Sequence, residues 1–274
     1  MRQPFLSGER IMAQFCTLCS SSSGNSSYIG YSGGGILIDA GLNAKQLCLA
    51  MGRTGVDPNS IKAIFITHEH TDHISALRVF ASKFSVPVYA SEGTLNALIK
   101  MGCVNGKFKA DVIDEKGVEI NGMYVKPFKT SHDSAQSCGY TVNMPYGHKL
   151  AVATDTGYVT DEMKSSLVGC DLVLLESNHD LNMLKTGPYP YYLKQRILSK
   201  KGHLSNDDCA EFAKYLVHNG TKRIVLGHLS RENNAPDLAF ETTNNALGSA
   251  GLLENEDYQL YVAPVSNSER MFKL

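Results

Sequence analysis

Three histidines and two carboxylates fall within seven consecutive residues, Thr67-His68-Glu69-His70-Thr71-Asp72-His73. Neutral imidazoles and carboxylates are the ligand set of zinc, and they also serve manganese or iron. His68 and His70 alternate, so both point the same way while the chain is extended. Asp72 and His73 come as the chain turns and can face a second ion. Two ions at about 3.5–4 Å suit hydrolysis, because a water shared between them loses its proton near neutral pH.

Such a cluster works only if the surrounding elements aim it. Residues 61–66, all apolar but for Lys62, read as a buried strand, and residues 74–80 read as a helix with Ile74, Leu77 and Phe80 on one face. The cluster therefore sits on a strand-to-helix turn. Further candidates stand just past, or at the end of, other strand-like runs: Asp39 after Ile36-Leu37-Ile38, His132 after residues 118–128, Asp155 after Ala151-Val152-Ala153-Thr154, and His228 after Ile224-Val225-Leu226-Gly227. Gly41 reads as allowing a sharp exit after Asp39. Strands are also expected at 14–18, 27–31, 35–39, 86–90, 139–143, 149–154, 171–176 and 222–226. Turn-rich breaks cover 20–25 and 32–34, the serine run at 20–23 being read as a tight loop. Helices are expected at 44–51, 94–101 and 205–218. Ser205 can cap the last, Asp207 and Asp208 suit its positive end, and Gly220 ends it. Strands first, then mixed strands and helices, predict an α/β fold of two packed sheets with helices outside.

The 274 residues can bury a large core, and a net charge of −1 excludes polyanion binding by bulk charge. Nucleic-acid affinity would have to come from a local basic surface. No apolar run reaches the ~18 residues that span a bilayer, and residues 1–10 lack the apolar core of a secretory signal. Seven scattered cysteines, an odd number, suit reduced thiols and a cytoplasmic location. Cys16-x-x-Cys19 has no second such pair to make a zinc ribbon with it.

The pattern His-x-His-x-Asp-His at 68–73 resembles the signature of the metallo-β-lactamase superfamily. The resemblance implies a four-layer αββα sandwich and a centre of two divalent metal ions, zinc or manganese. In it His68, His70 and His132 hold one ion, Asp72, His73 and His228 the other, and Asp155 bridges both, while Asp39 braces the turn. His70 sets the chain apart from the redox di-iron branch, which places Glu there. Asp155 and His228 lie 73 positions apart, too few for the large inserted domain of the RNA-processing branch, so residues 1–274 are expected to form one domain.

Four stretches are more specific: Ser20-Ser21-Ser22-Ser23-Gly24-Asn25-Ser26, Leu174 through Asp180, Gly202-His203-Leu204-Ser205-Asn206, and His228-Leu229-Ser230-Arg231-Glu232-Asn233-Asn234. Together with residues 189–196 they resemble the YycJ/WalJ family of bacterial metallo-hydrolases, from about Phe15 to about Val265. Cys19 departs from the small residue expected before the serine run. The family implies 5′→3′ exonuclease activity on DNA and a repair role, with no membrane partner, and is compatible with a homo-oligomer.

Phosphodiester chemistry also has support from the residues themselves. Between Asp180 and Asp207 there is no acidic residue, yet Lys185, Lys194, Arg196, Lys200 and Lys201 interleave with Tyr189, Tyr191 and Tyr192. Cations among aromatics suit phosphates and stacked bases; the bland alternative is a solvated helix face with tyrosines packed beneath. Tyr189, Lys194, Arg196 and Ser205 are the expected substrate contacts. Glu176 and His203 resemble a Glu…His pair in tRNA 3′-processing relatives. A carboxylate bonded to an imidazole favours its cationic form, which can neutralise a phosphate oxygen or protonate a leaving alkoxide. Asp72, Glu176 and His203 are thus the expected catalytic groups of a metal-dependent nuclease that uses a hydroxide shared between the ions. A thioester or lactone hydrolase, or a non-enzymatic regulatory protein, are the alternatives.

Overall fold

The computed structural model describes residues 12–31, 33–267 and 271–274. Residues 1–10, which bear on a secretory leader, and Ser32 of the expected turn lie outside the described residues. In chain order the strands are β1 (Gln14–Ser21), β2 (Gly24–Tyr31), β3 (Gly34–Ile38), β4 (Ile61–Ile66), β5 (Val88–Ala90), β6 (Ala110–Val112), β7 (Val118–Ile120), β8 (Met123–Lys129), β9 (Cys138–Asn143), β10 (Lys149–Ala153), β11 (Leu172–Glu176), β12 (Arg223–Gly227), β13 (Gln259–Val262) and β14 (Phe272–Lys273). They make two sheets, in the orders β14-β1-β2-β3-β4-β5-β6 and β13-β12-β11-β10-β9-β8-β7. In each, antiparallel pairs on one side give way to parallel pairs on the other, from β3 to β6 and from β10 to β13.

Alternation along the strands decides the layers. Ile36 and Ile38 of β3 and Phe65 of β4 meet Val152 of β10, Leu174 of β11 and Val225 of β12 between the sheets. The residues between them in sequence face outward. Leu37, Ile64 and Ile66 pack under α1 (Ala44–Arg53), α3 (Leu77–Phe84) and α4 (Glu92–Lys100). Val173, Leu175, Ile224 and Leu226 pack under α5 (Asp161–Leu167), α8 (Asn206–His218) and α9 (Pro236–Ser249). The order of layers is αββα. One cross-sheet bond fixes the two halves near the site edge: the buried Tyr140 hydroxyl donates to the Ile66 carbonyl at 2.7 Å.

Three local expectations need correction. The tight loop at the serine run is shorter than expected: β1 continues to Ser21 and β2 begins at Gly24, leaving Ser22 and Ser23 as a two-residue turn. The helix after the histidine cluster is broken into α2 (Thr71–Ile74) and α3, though Ile74, Leu77 and Phe80 are all buried as their spacing predicts. The sharp exit after β3 is made by Asp39 itself, at φ 64°. Gly41 is needed for space: a Cβ there would lie 1.7 Å from the Asp72 carbonyl oxygen and 2.4 Å from the Asn25 nitrogen. Short helices α6 (Leu181–Thr186) and α7 (Tyr191–Ile197) occupy the stretch before α8.

Candidate metal centre

The site lies along the carboxyl ends of the parallel strands of both sheets, where open α/β sheets place their ligand crevices. β3 leads into Asp39 and β4 into Thr67 and His68. α2 carries Asp72 in its first turn and His73 in its last. From the facing sheet, β8 leads to His132, β10 to Asp155, β11 ends in Glu176 and β12 leads to His228. Asp39, Asp155 and His228 all take left-handed backbone, at φ 64°, 58° and 56°. Each such residue costs about 1–3 kcal/mol, and residues of this kind cluster at functional sites.

All seven candidate ligands are brought together. Ligand atoms of His68, His70 and His132 lie within 4.8 Å of one another, as do those of Asp72, His73 and His228, and those of His68, His73 and Asp155. A fourth group joins Asp155 and His228 with Glu176 and His203. Glu69, the remaining carboxylate of the turn, does something else: its Oε1 accepts from the Ala135 N–H at 2.7 Å.

The ring orientations fit a metal. Asp39 Oδ2 lies 2.8 Å from His73 Nδ1, the Gly202 carbonyl 3.0 Å from His132 Nδ1, Glu176 Oε1 2.8 Å from His228 Nδ1, and Thr67 Oγ1 3.0 Å from His68 Nδ1. Protein oxygens thus engage four Nδ1 atoms, leaving each Nε2 as a ligand atom. His70 is turned the other way, its Nδ1 3.3 Å from His132 Nε2. Nε2 of His68, Nε2 of His228 and Oδ2 of Asp155 are buried without a hydrogen-bond partner. Buried polar atoms are normally satisfied, and converging unpaired ones are what a cation site requires.

The charge balance says the same. Burial opposes ionisation of Asp155, yet His228, His73, His68 and His132 hold it well below the usual carboxylate range. Burial raises the Glu176 pKa, but His203 and His228 outweigh it and lower it to about 2. Burial disfavours a charged His228 ring, while Asp155, Asp72 and Glu176 push its pKa up to about 10. Burial and the neighbouring His73 hold His68 well below its ordinary value, so its ring is neutral and ready to ligate. Burial likewise disfavours a charged His73 ring, yet Asp155, Asp39 and Asp72 push its pKa well above the ordinary value. Carboxylates that favour protons on His73 and His228 will favour a cation in their place.

Glu176 does more than the sequence indicates. Oε1 lies 2.8 Å from Nδ1 of both His203 and His228, and Oε2 accepts from the Thr156 and Leu204 N–H groups at 2.8 and 3.3 Å. Asn25 was not legible as a site residue. Its Nδ2 lies 3.1 Å from both Asp72 Oδ2 and His73 Nε2; the only signal is an amide ending a serine run beside a strand.

Around the rim, Arg196 forks onto Asp133 at 2.5 and 3.1 Å, beside His132. The turn before α8 supports the same ligand: the Lys200 carbonyl accepts from Ser131 Oγ and the Lys201 carbonyl from the Asp133 N–H. Tyr191 and Tyr192 are 78% and 74% exposed, not packed beneath α7. Tyr189 is half-buried, and Lys194 donates to the Lys185 carbonyl at 2.7 Å. Ser205 is buried as the cap of α8: its hydroxyl accepts from the Asp208 N–H and donates to Asp208 Oδ2. That side chain is taken up by the helix end.

Residues 35–229 match the model of the β-lactamase superfamily domain. The chain is 38% identical over 250 residues to the exodeoxyribonuclease YycJ of Bacillus anthracis, covering 90% of this chain and 94% of that one. It is 39% identical over 251 residues to the exodeoxyribonuclease WalJ of Streptococcus pneumoniae, covering 90% and 93%. Among solved structures, the metallo-β-lactamase fold protein YhfI of Bacillus subtilis superposes with a TM-score of 0.71 at 15% identity, over 96% of this chain and 99% of that one. That likeness shows a shared fold.

Proposed function

The chain belongs to the β-lactamase superfamily and, within it, to the family of the YycJ and WalJ exodeoxyribonucleases, and on that premise we propose that it removes nucleotides from DNA in the 5′→3′ direction, in repair, in the cytoplasm. It is a metal-dependent hydrolase. The observation that carries the reading is the convergence of seven ligand side chains from both sheets, beside a cationic, tyrosine-bearing rim.

In this reading His68, His70 and His132 would hold one divalent cation, zinc or manganese. Asp72, His73 and His228 would hold a second, with Asp155 available to either. Such cations would lower the pKa of a nearby water toward neutral and offset charge on a phosphate oxygen. Asp39 and Glu176 set the direction of the His73 and His228 rings. His203, held through Nδ1 by Glu176 and 17% exposed in its side chain, gives a proton to the departing oxygen. Arg196, Lys194 and Tyr189 track the strand. No helix among the described residues is long and apolar enough to cross a membrane.

The test is digestion of end-labelled single- and double-stranded DNA and RNA by metal-replete protein, with a thioester and a lactone alongside. Release of mononucleotides from the 5′ end of DNA is expected. It should disappear in His68→Ala and in Asp155→Asn, whose asparagine tolerates the left-handed backbone, with the folding transition retained. Full activity in either variant, or turnover of the thioester alone, overturns the reading.

A further inference from the structure

Two of the sequence stretches singled out above, the serine run and the segment after His228, have no part in the chemistry just described beyond Asn25 and His228 themselves. They meet in space. Ser21 and Ser23 from the β1–β2 turn, Arg231 from the loop after β12, Arg53 and Gln46 from α1, and Ser266 line one cavity of about 200 Å³. It is small against the ~300–1,000 Å³ of pockets that take a whole drug-sized ligand, and so suits a single group.

Among the described residues no carboxylate lines this cavity. Neither Arg53 nor Arg231 has an ion-pair or hydrogen-bond partner among the described residues. A cation at the end of α1 answers the helix dipole, which accounts for Arg53 alone. It does not account for a second unpaired guanidinium in the same small cavity with three serines. Guanidinium pairs with hydroxyls are the donor set for phosphate, and planar forks give it bidentate recognition.

The cavity is coupled to the metal centre by short links. The Asn25 side chain bonds the Ser21 backbone at both ends, at 3.1 and 2.9 Å, and reaches Asp72 Oδ2 at 3.1 Å. Arg231 follows His228 by three positions. It shares the cavity with Ser21, which Asn25 ties to Asp72, whereas Arg196 of α7 is bonded to Asp133, next to His132.

We propose that Arg53 and Arg231, with Ser21, Ser23 and Ser266, form a phosphate-binding subsite that holds a phosphate of the nucleic-acid strand other than the one being cleaved. This rests on the nuclease reading above. A strand gripped on both sides of the metal centre is fixed in register, so the subsite sets which bond is presented.

Equilibrium binding of a fluorescent single-stranded oligonucleotide, with metal omitted so that the strand stays whole, tests it in the full chain. Arg53→Gln and Arg231→Gln should each weaken binding and flatten the dependence of log K on log salt by about 0.7, the loss of one phosphate contact on a single strand. Comparing 5′-phosphorylated with 5′-hydroxyl strands separates the two sources of the phosphate. A loss confined to phosphorylated strands assigns the terminal monoester, and an equal loss on both assigns an internal diester. Hydrolysis of bis(p-nitrophenyl) phosphate by the metal-replete double variant should stay at the wild-type rate, because the arginines do not touch the reacting atoms. Unchanged salt slopes, or an equal loss on the small diester, overturn the subsite. Absence of DNA cleavage by the wild-type protein strikes the nuclease reading instead and leaves the binding result to be read separately.

Discussion

Glu176 holds two imidazoles through one oxygen and two backbone N–H groups through the other. A glutamine offers one acceptor oxygen and one donor amide. In Glu176→Gln one of the two pairs must therefore face N–H against N–H. Turnover should fall about 10²–10⁴-fold, and metal affinity by chelator competition about 10–100-fold; loss of turnover with unaltered metal affinity would restrict Glu176 to His203. His179 is the other residue with a testable oddity. It is buried with both ring nitrogens unpaired, and burial lowers its pKa from 6.5 to about 4. The unfolded chain then binds more protons between those values, so stability falls as pH drops from 6.5 to 4, by about 3 kcal/mol in full. His179→Leu should flatten that acid limb in urea unfolding from pH 7 to 4. The seven candidate ligands were legible because each is a ligand-type residue at, or just past, the end of an apolar run. Gly202 was not, because it acts through its carbonyl, which no side-chain pattern reports.

At the level of elements, the loop between β3 and α1 is wedged against α2. The Ala40 N–H donates to the His73 carbonyl, and the Ala76 N–H to the Ala40 carbonyl, both at 2.8 Å. Gly41 lies in this wedge, so Gly41→Ala must push the Asp72 carbonyl away. We expect a loss of about 3 kcal/mol or more together with weakened metal binding. Gly52→Ala is the matching control. A Cβ there meets nothing within 4 Å inside α1, and the change should stabilise by up to about 1 kcal/mol, read as a rise in Tm. The long strands and α8 could be read from apolar runs and caps. α9 could not: its buried positions are Ala239, Thr243 and Leu247, a small residue, a polar one and a single large aliphatic. α6 and α7 are too short to show a period, and their residues stand out by charge and aromaticity instead.

For the whole molecule, net charge is near zero, so strand affinity must come from where cations sit. Lys194→Ala with Arg196→Ala should weaken single-strand binding and reduce the salt slope by about 1.4, two contacts at roughly 0.7 each; an unchanged slope rejects α7 as part of the track. Four of the seven candidate ligands follow β4 of one sheet, and three follow strands of the other. Strand succession pointed to two packed sheets with helices outside, but which strand ends meet across them is a tertiary fact that no local pattern carries. One bond carries this furthest. The His228 N–H donates to Ser20 Oγ at 2.8 Å, joining the last candidate ligand to the β1–β2 hairpin across most of the chain. During translation the early histidines leave the ribosome long before their final companion does. A centre that takes His228 as a ligand can therefore be completed only once synthesis has passed residue 228 and the late segment has packed back onto the β1–β2 hairpin.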